Sequence, residues 1–172
     1  MTPIAPEPIR TERLLLLPLL VAHAEEMAAV LADPRLHAFI GGSPADPAAL
    51  RARYERLVAG SPDPAVSWGN WVIRLADEEC LVGTVQATVT GPADGRTAEI
   101  AWVVGTPWQG RGIATEATRA LIAWLQRHGV RTVIAHIHPD HRASAAVATA
   151  AGLTPTDVRH EGEIRWVRTA GG

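Results

Sequence analysis

The segment from Glu99 to Ala117 constrains the fold of this chain more than any other part of its sequence. It reads EIAWVVGTPWQGRGIATEA. An apolar run typical of a buried strand leads into a turn rich in Gly and Pro, and the turn leads into a helical pattern. Gly110 and Gly112 allow the main chain to approach a ligand closely, because no β-carbon stands in the way. We predict a strand, a tight turn and a helix, with a ligand held at the turn.

The start of this helix has the properties of an anion-binding site. The main-chain amides from Gly110 to Ala114 are expected to point out of the helix start, where they have no partner within the helix. Unpaired N–H groups and the positive end of the helix dipole favour an anion such as a pyrophosphate. Arg111 would add a guanidinium beside that anion, and Glu116 would complement the dipole from the first turn.

Three known anion-binding patterns compete for this turn. The phosphate loop of nucleotide hydrolases needs Gly-Lys-Ser/Thr, and this chain contains no Lys. A dinucleotide fingerprint needs Gly or Ala where Thr115 stands, and an acidic residue at the end of the next strand, where the sequence has residues 135–138. The third pattern, Q/R-x-x-G-x-G/A, is matched by Gln109, Gly112 and Ala114. It is the one of the three that the turn satisfies.

Hydrophobic periodicity places seven strands and four helices along the chain. The predicted strands are residues 13–17, 67–75, 81–90, 97–104, 131–137, 156–159 and 164–169, and the predicted helices are residues 21–32, 47–59, 113–128 and 142–151. Short connections predict an antiparallel meander in the first half, and the strand–helix–strand unit of the second half predicts one parallel pairing. We therefore expect an α/β protein with a mixed, mostly antiparallel seven-stranded sheet and four flanking helices, formed by residues 1–172 as one domain.

Composition argues against several other classes of protein. Apolar residues make up 47% of the chain and charged residues 20%, which is typical of a globular protein. The net charge of −2 gives no basic excess for binding nucleic acid. The longest apolar stretch, residues 14–22, is broken by Pro18 and is too short to span a bilayer. With no signal-like start and a single cysteine, Cys80, we expect a cytoplasmic protein that binds neither nucleic acid nor membrane.

With these motifs, the chain resembles the GNAT superfamily of acetyltransferases over nearly its full length. In that family Q/R-x-x-G-x-G/A is the loop that binds the pyrophosphate of acyl-CoA. The branch that the chain resembles most is that of the ribosomal-protein N-terminal acetyltransferases (RimJ/RimL-like). Three further segments carry the resemblance: RTERL at 10–14, AEIAW at 98–102 followed by WQGRGIATEA at 108–117, and HPDHRAS at 138–144 with Val147, Gly152 and Leu153.

The resemblance implies an enzyme, an acetyl-CoA-dependent N-acetyltransferase that moves an acetyl group directly to a primary amine without a covalent enzyme intermediate. Its acceptor would be a protein N-terminus or a small-molecule amine, and it would be a monomer or a homodimer. The pantetheine arm of acetyl-CoA would lie between two diverging strands. The residues that the resemblance assigns to acetyl-CoA are Trp102, Val103 and Val104 in the strand, Gln109, Gly110, Arg111, Gly112, Ile113 and Ala114 in the loop, and His141.

Two residues are candidates for the chemistry of transfer. An ammonium must lose a proton before it can attack, so a base is needed. Glu99, in an otherwise apolar strand, is the candidate base; the alternative is an exposed or ion-paired carboxylate. Ser144 is the candidate donor to the leaving thiolate, by its place in this branch; the alternative is a helix N-terminal residue bonding the backbone. The sequence also departs from the family: His141 replaces an Asn that contacts pantetheine, and Ala148 replaces a Tyr that many relatives use as the acid.

A rival pattern lies at residues 136–141. His136, His138, Asp140 and His141 match H-x-H-x-D-H, the zinc signature of metallo-β-lactamase-like hydrolases. That fold places further ligands downstream, whereas 31 residues follow His141 here, and the segment coincides with a strand and a helix of the GNAT pattern. We therefore expect no metal and retain a zinc hydrolase as the lesser alternative. A non-catalytic acyl-CoA-binding protein is the other alternative, because the usual Tyr and Asn are missing.

Overall fold

A mixed sheet of eight strands forms the centre of the protein. The structure is a computed structural model that describes residues 3–40 and 42–170. Within those residues the strands are β1 (Ile9–Arg10), β2 (Leu14–Pro18), β3 (Ser67–Leu75), β4 (Leu81–Thr90), β5 (Arg96–Val104), β6 (Val130–Ile137), β7 (Thr154–His160) and β8 (Glu163–Thr169). Their order across the sheet is β1-β2-β3-β4-β5-β6-β8-β7.

Neighbouring strands are antiparallel, except that β5 and β6 are parallel. The chain passes from β5 to β6 through helix α4 (Ile113–Arg127), and such a helical crossover returns the chain in its original direction. The mixed, mostly antiparallel α/β sheet expected from the sequence is confirmed. The predicted number of seven strands is wrong, because β1 has only two residues and produces no alternating pattern.

The described residues form five α-helices, where four were predicted. They are α1 (Ala24–Val30), α2 (His37–Ile40), α3 (Pro47–Ala59), α4 and α5 (Arg142–Ala150). The predicted helix 21–32 is shorter than expected, because its first residues form a 3-10 turn, Val21–His23. The additional helix, α2, has four residues, too few for helical periodicity to appear in the sequence. None of the helices in residues 3–40 and 42–170 has the length and apolar character needed to cross a membrane.

The helices cover the two faces of the sheet unequally. On one face α4 and α5 bury a continuous core, to which α4 contributes Leu121 and Leu125. Full burial of one such leucine contributes about 1.5–3 kcal/mol. On the other face α1 and α3 cover the region of β2, β3 and β4, with Met27 and Tyr54 buried between them. The β5 side chains on that second face are half-buried or exposed, and Glu99 is among the exposed ones.

Strands β5 and β6 separate toward their C-terminal ends. Their parallel pairing ends at Glu99 and Ile134. Beyond that point β5 stays paired with β4 through Val104, and β6 stays paired with β8 through Ile137. The two central strands therefore enclose a V-shaped gap with Glu99 at its apex.

Candidate active site

A cavity of about 510 Å³ lies between the gap, the turn before α4 and the start of α5. Its volume is within the range of small-molecule binding sites. All the residues predicted to bind acetyl-CoA line it except Arg111: Trp102, Val103, Val104, Gln109, Gly110, Gly112, Ile113, Ala114 and His141. A second cavity, of about 540 Å³, lies at the opposite ends of these strands, near Asp94 and Arg131.

The edge of β5 that faces the cavity offers main-chain hydrogen-bonding groups. Gly105 N donates to Val82 O on the β4 side, at 2.7 Å. Because the groups of successive strand residues alternate in direction, the N–H and C=O of Val104 point into the gap instead. The side-chain amide of Gln109 donates to Val104 O there, at 3.0 Å. A ligand in the gap can therefore pair with β5 as an added strand would.

The turn before α4 presents unpaired main-chain N–H groups. Gly110 and Gly112 have φ angles of 76° and 77°, in the left-handed region that glycine adopts readily. The first bond of the helix runs from Glu116 N to Gly112 O, at 3.1 Å. No side chain in residues 3–40 and 42–170 caps this helix start, so its first amides have no partner among these residues and stand at the positive end of the helix dipole. This arrangement suits a pyrophosphate.

Arg111 points away from this cradle. Its guanidinium pairs with Glu78 at 3.2 Å, and the two side chains are 44% and 50% exposed. An ion pair this exposed contributes between zero and about 1 kcal/mol, so it is easily exchanged for another anion. The carbonyl of Arg111 has a different role, because it accepts a hydrogen bond of 2.9 Å from Arg13 Nη1.

The start of the chain holds the turn in place through Glu116. The Glu116 carboxylate accepts hydrogen bonds from Thr11 Oγ1 at 2.5 Å, Arg13 N at 3.0 Å and Arg13 Nε at 2.7 Å. Partial burial would raise the pKa of Glu116, but these hydrogen bonds outweigh it and hold the pKa below its ordinary value. The sequence predicted only the dipole role of this carboxylate. Its partners lie more than 100 residues away, and no local pattern reports them.

Ser144 and His141 lie together at the start of α5. Ser144 Oγ is 3.3 Å from His141 Nε2, and both residues line the cavity. Phe39 of α2 stacks on the His141 ring with centroids 4.3 Å apart. Burial, and to a lesser extent the nearby His138, lower the pKa of His141, which keeps the ring neutral near pH 7. Phe39 was not predicted as a site residue, because the four residues of α2 are too few for a helical pattern to appear in the sequence. Ala148 is fully buried in the core, outside the cavity lining.

Glu99 lies at the apex of the gap, outside the lining of the cavity. Its Oε1 is 2.7 Å from Nδ1 of His136, the side chain of which is 7% exposed, whereas that of Glu99 is 48% exposed. The other ring nitrogen of His136 accepts a hydrogen bond from Arg165. With both nitrogens engaged, His136 has no lone pair for a metal. Within the described ranges, 3–40 and 42–170, no group of three or more His, Cys, Asp or Glu is arranged to hold a metal ion, so the zinc hydrolase is not favoured.

Comparison with known proteins gives one family. The acetyltransferase (GNAT) domain model matches residues 13–154. A search of curated protein sequences found no significant match. An acetyltransferase of Agrobacterium tumefaciens is similar in structure, with 26% identity, a TM-score of 0.73, and coverage of 98% of this chain and 97% of that one.

Two other solved structures share the fold at lower identity. One is RimL, a ribosomal-protein alpha-N-acetyltransferase in complex with coenzyme A, with 17% identity, a TM-score of 0.76, and coverage of 95% of this chain and 98% of that one. The other is AAC(6')-Ib in complex with paromomycin and acetyl-CoA, with 16% identity, a TM-score of 0.74, and coverage of 92% and 94%.

Replacing Gly112 tests the anion cradle. A β-branched residue adopts the left-handed conformation poorly, so Gly112→Val should rotate the first amides of α4 away from the anion. We expect coenzyme A affinity, measured by isothermal titration calorimetry, to fall by roughly tenfold or more, since loss of one or two such contacts costs over 1 kcal/mol. Gly60→Val is the matched control, because Gly60 has a similar φ of 88° and lies at the end of α3. Equal affinity of both variants and the wild type would contradict the assignment.

Glu116→Gln tests how the chain start stabilises the fold. A carboxyl group with a lowered folded pKa stabilises the protein above its ordinary value of 4.5, and that stabilisation is lost as the pH falls through the lower folded value. At pH 7 the variant should therefore unfold in urea with a free energy about 1 kcal/mol below that of the wild type. The difference should shrink below about pH 4. Glu12→Gln removes the same charge from an exposed neighbour and should change little. A difference that is independent of pH would be inconsistent with the role of the ionised carboxylate.

Proposed function

The chain belongs to the GNAT family of acetyltransferases, and on that premise we propose that it transfers the acetyl group of acetyl-CoA directly to a primary amine. The amine is that of a protein N-terminus or of a small molecule. The observation that supports this proposal is that two binding features lie side by side. Unpaired amides at the start of α4 adjoin a strand edge left open by the divergence of β5 and β6. A diphosphate and an extended amide-containing arm require these two features side by side.

The cavity-lining residues fit acetyl-CoA, which supplies an activated thioester. The amides of residues 112–114 would hold the pyrophosphate, and the N–H and C=O of Val104, together with the C=O of Trp102, would pair with the amides of the arm. Gln109 would release Val104 O as the arm enters. The indole N–H of Trp102 is buried without a partner among the described residues, a cost that a hydrogen-bond acceptor in the cavity would offset.

Transfer requires that the amine lose a proton and that charge on the thioester oxygen be stabilised. We assign the first task to Glu99, which accepts the amine proton on its carboxylate directly or through one water. Trp102 N–H, which points into the gap two residues closer to Glu99 than that of Val104, donates to the thioester oxygen as negative charge develops there. Because the amine attacks the carbonyl carbon directly, no residue of the chain forms a bond to the acetyl group.

The departing sulfur requires a proton. Ser144 lines the cavity at the start of α5 and is our candidate donor, with His141 Nε2 behind it at 3.3 Å. Water in the cavity returns a proton to the serine oxygen as the serine gives up its own, and the neutral ring of His141 orients the hydroxyl through its contact at Nε2. The pair would thus perform the role that many relatives assign to a Tyr at the position of Ala148.

A thiol-release assay tests the proposed function. Wild type and acetyl-CoA are incubated with a panel of amines: a peptide with a free N-terminus, amino acids, polyamines and paromomycin. The panel follows from the two similar structures, one a ribosomal-protein alpha-N-acetyltransferase and one holding paromomycin. We expect at least one amine to accelerate thiol release. An N-acetylated peptide is the control and should not. Tight coenzyme A binding without amine-dependent release would support a non-catalytic binding protein instead.

With the active amine, Glu99→Gln should lower kcat by roughly 10²-fold, as loss of a general base does, and leave the KM for acetyl-CoA unchanged. The loss should be largest at low pH, because alkaline solution deprotonates the amine without help. Glu12→Gln serves as the carboxylate control. An unaltered pH–rate profile for Glu99→Gln would remove Glu99 from the mechanism.

A further inference from the structure

A side-chain hydrogen bond bridges β5 and β6 just past the point where their main-chain pairing stops. Glu99 belongs to the last pair of that ladder, and His136 follows two residues beyond its partner Ile134 on β6. The two side chains lie on the same face, because strand side chains alternate. Their contact of 2.7 Å is short for a bond between a ring nitrogen and a carboxylate oxygen. The bond therefore fixes Glu99 at the apex of the gap.

Arg165 determines which way this hydrogen bond points. Arg165 is the partner of His136 on β8, and its Nε donates to His136 Nε2 at 3.1 Å. An arginine nitrogen can only donate, so Nε2 must be the unprotonated nitrogen of the ring. The ring proton is then on Nδ1, and His136 donates it to Glu99. Hydrogen bonding thus runs in one direction across three strands, from Arg165 through His136 to Glu99.

This direction leaves Glu99 suited to accept a proton. One carboxylate oxygen is held by His136, and Oε2 accepts no hydrogen bond from any residue in the described part of the chain. The bond from Arg165 occupies the lone pair of Nε2, so in this arrangement the ring carries its proton on Nδ1, facing Glu99.

We infer that His136 and Arg165 are positioning residues for the transfer reaction: Arg165 holds His136 as the neutral Nδ1–H tautomer, and His136 holds Glu99 at the apex of the gap with Oε2 free for the amine proton. The inference rests on the proposed role of Glu99. It assigns to residue 136 a function other than the zinc ligation that its sequence pattern also matches.

Other titratable side chains lie near His136. The ring of His160 on β7 lies 4.8 Å away, centroid to centroid, and His160 in turn is 4.0 Å from Glu161. His138 lies two residues farther along β6 and is 3.9 Å from Asp140. None of these groups replaces Arg165 at Nε2 or Glu99 at Nδ1.

Two substitutions of His136 distinguish the effect of its N–H donor from the effect of its ring shape. In Asn the side-chain amide nitrogen is the same number of bonds from Cα as Nδ1 is in His, so His136→Asn keeps a donor for Glu99. His136→Phe keeps the ring and removes both nitrogens. With the active amine, we expect His136→Phe to lower kcat by roughly tenfold or more, with an unchanged KM for acetyl-CoA, and His136→Asn to retain most of the activity. Equal kcat values for the two variants would overturn the inference.

Arg165→Leu tests the tautomer. Without the donor at Nε2, the ring proton of His136 is free to move to Nε2, so nitrogen-15 spectra of the variant should show a mixture of the two tautomers where the wild type shows Nδ1–H. A purely structural role of Arg165 would leave the tautomer of the wild type in place, and that result would contradict the inference.

Nitrogen-15 NMR of the histidine rings provides a readout that needs no acceptor. In the wild type near pH 7.5 the His136 resonances, assigned with His136→Asn, should be those of a neutral ring protonated on Nδ1. A ring protonated on Nε2 would overturn the inference, even if His136→Phe fails to fold. Failure of the proposed function looks different: no amine supports turnover, or Glu99→Gln behaves as the wild type does. An active wild type that needs Glu99 but is indifferent to His136→Phe contradicts this inference alone.

Discussion

The main-chain ladder between β5 and β6 ends at Glu99 and Ile134, and the candidate active site is organised around that end. A sheet normally satisfies its main-chain groups strand by strand. Beyond Glu99, the edge of β5 that faces β6 has no strand partner and is open to a ligand, while its other edge remains hydrogen-bonded to β4 as far as Val104. The rigid outer pairings, β4 with β5 and β6 with β8, allow the gap to remain open without loss of the sheet.

Two sets of side chains hold the ends of this gap. At its wide end, Arg13 and Thr11 bind Glu116, and Arg13 also binds the carbonyl of Arg111, which attaches the turn before α4 to the start of the chain. At its apex, Arg165 and His136 hold Glu99. The anion cradle and the proposed base are therefore each supported by residues distant in sequence. This support suits a site in which small displacements of the reacting groups reduce the rate.

The parts of the protein that follow from local pattern could be predicted from the sequence. The strand, turn and helix from Glu99 to Ala117 were predicted correctly because their signals, an apolar run, glycines and helical spacing, are contiguous. The resemblance to the GNAT family followed from that segment together with residues 10–14 and 138–144, and the mixed α/β sheet followed from hydrophobic periodicity along the whole chain. Strand β1 and helix α2 were missed because two and four residues carry too little periodicity.

The interactions that complete the site could not be predicted, for a different reason. Glu99, His136 and Arg165 come from three strands, and only the order β5-β6-β8 brings them into one row. The ion pair of Arg111 with Glu78 likewise joins residues 33 positions apart. The role of Ser144 and the assignment of the residues that bind acetyl-CoA are proposals. They are supported by the cavity that Ser144 and most of the assigned residues line together.

The most direct measurement of the central claim is a titration of the nitrogen-15-labelled protein with coenzyme A, followed through its backbone amide resonances. We expect the largest shifts in two separate stretches, residues 110–114 and residues 100–104, and unchanged resonances for the amides near Asp94 and Arg131. Shifts confined to the cavity near Asp94 and Arg131, or no shifts in the turn before α4, would show that coenzyme A does not bind in the gap.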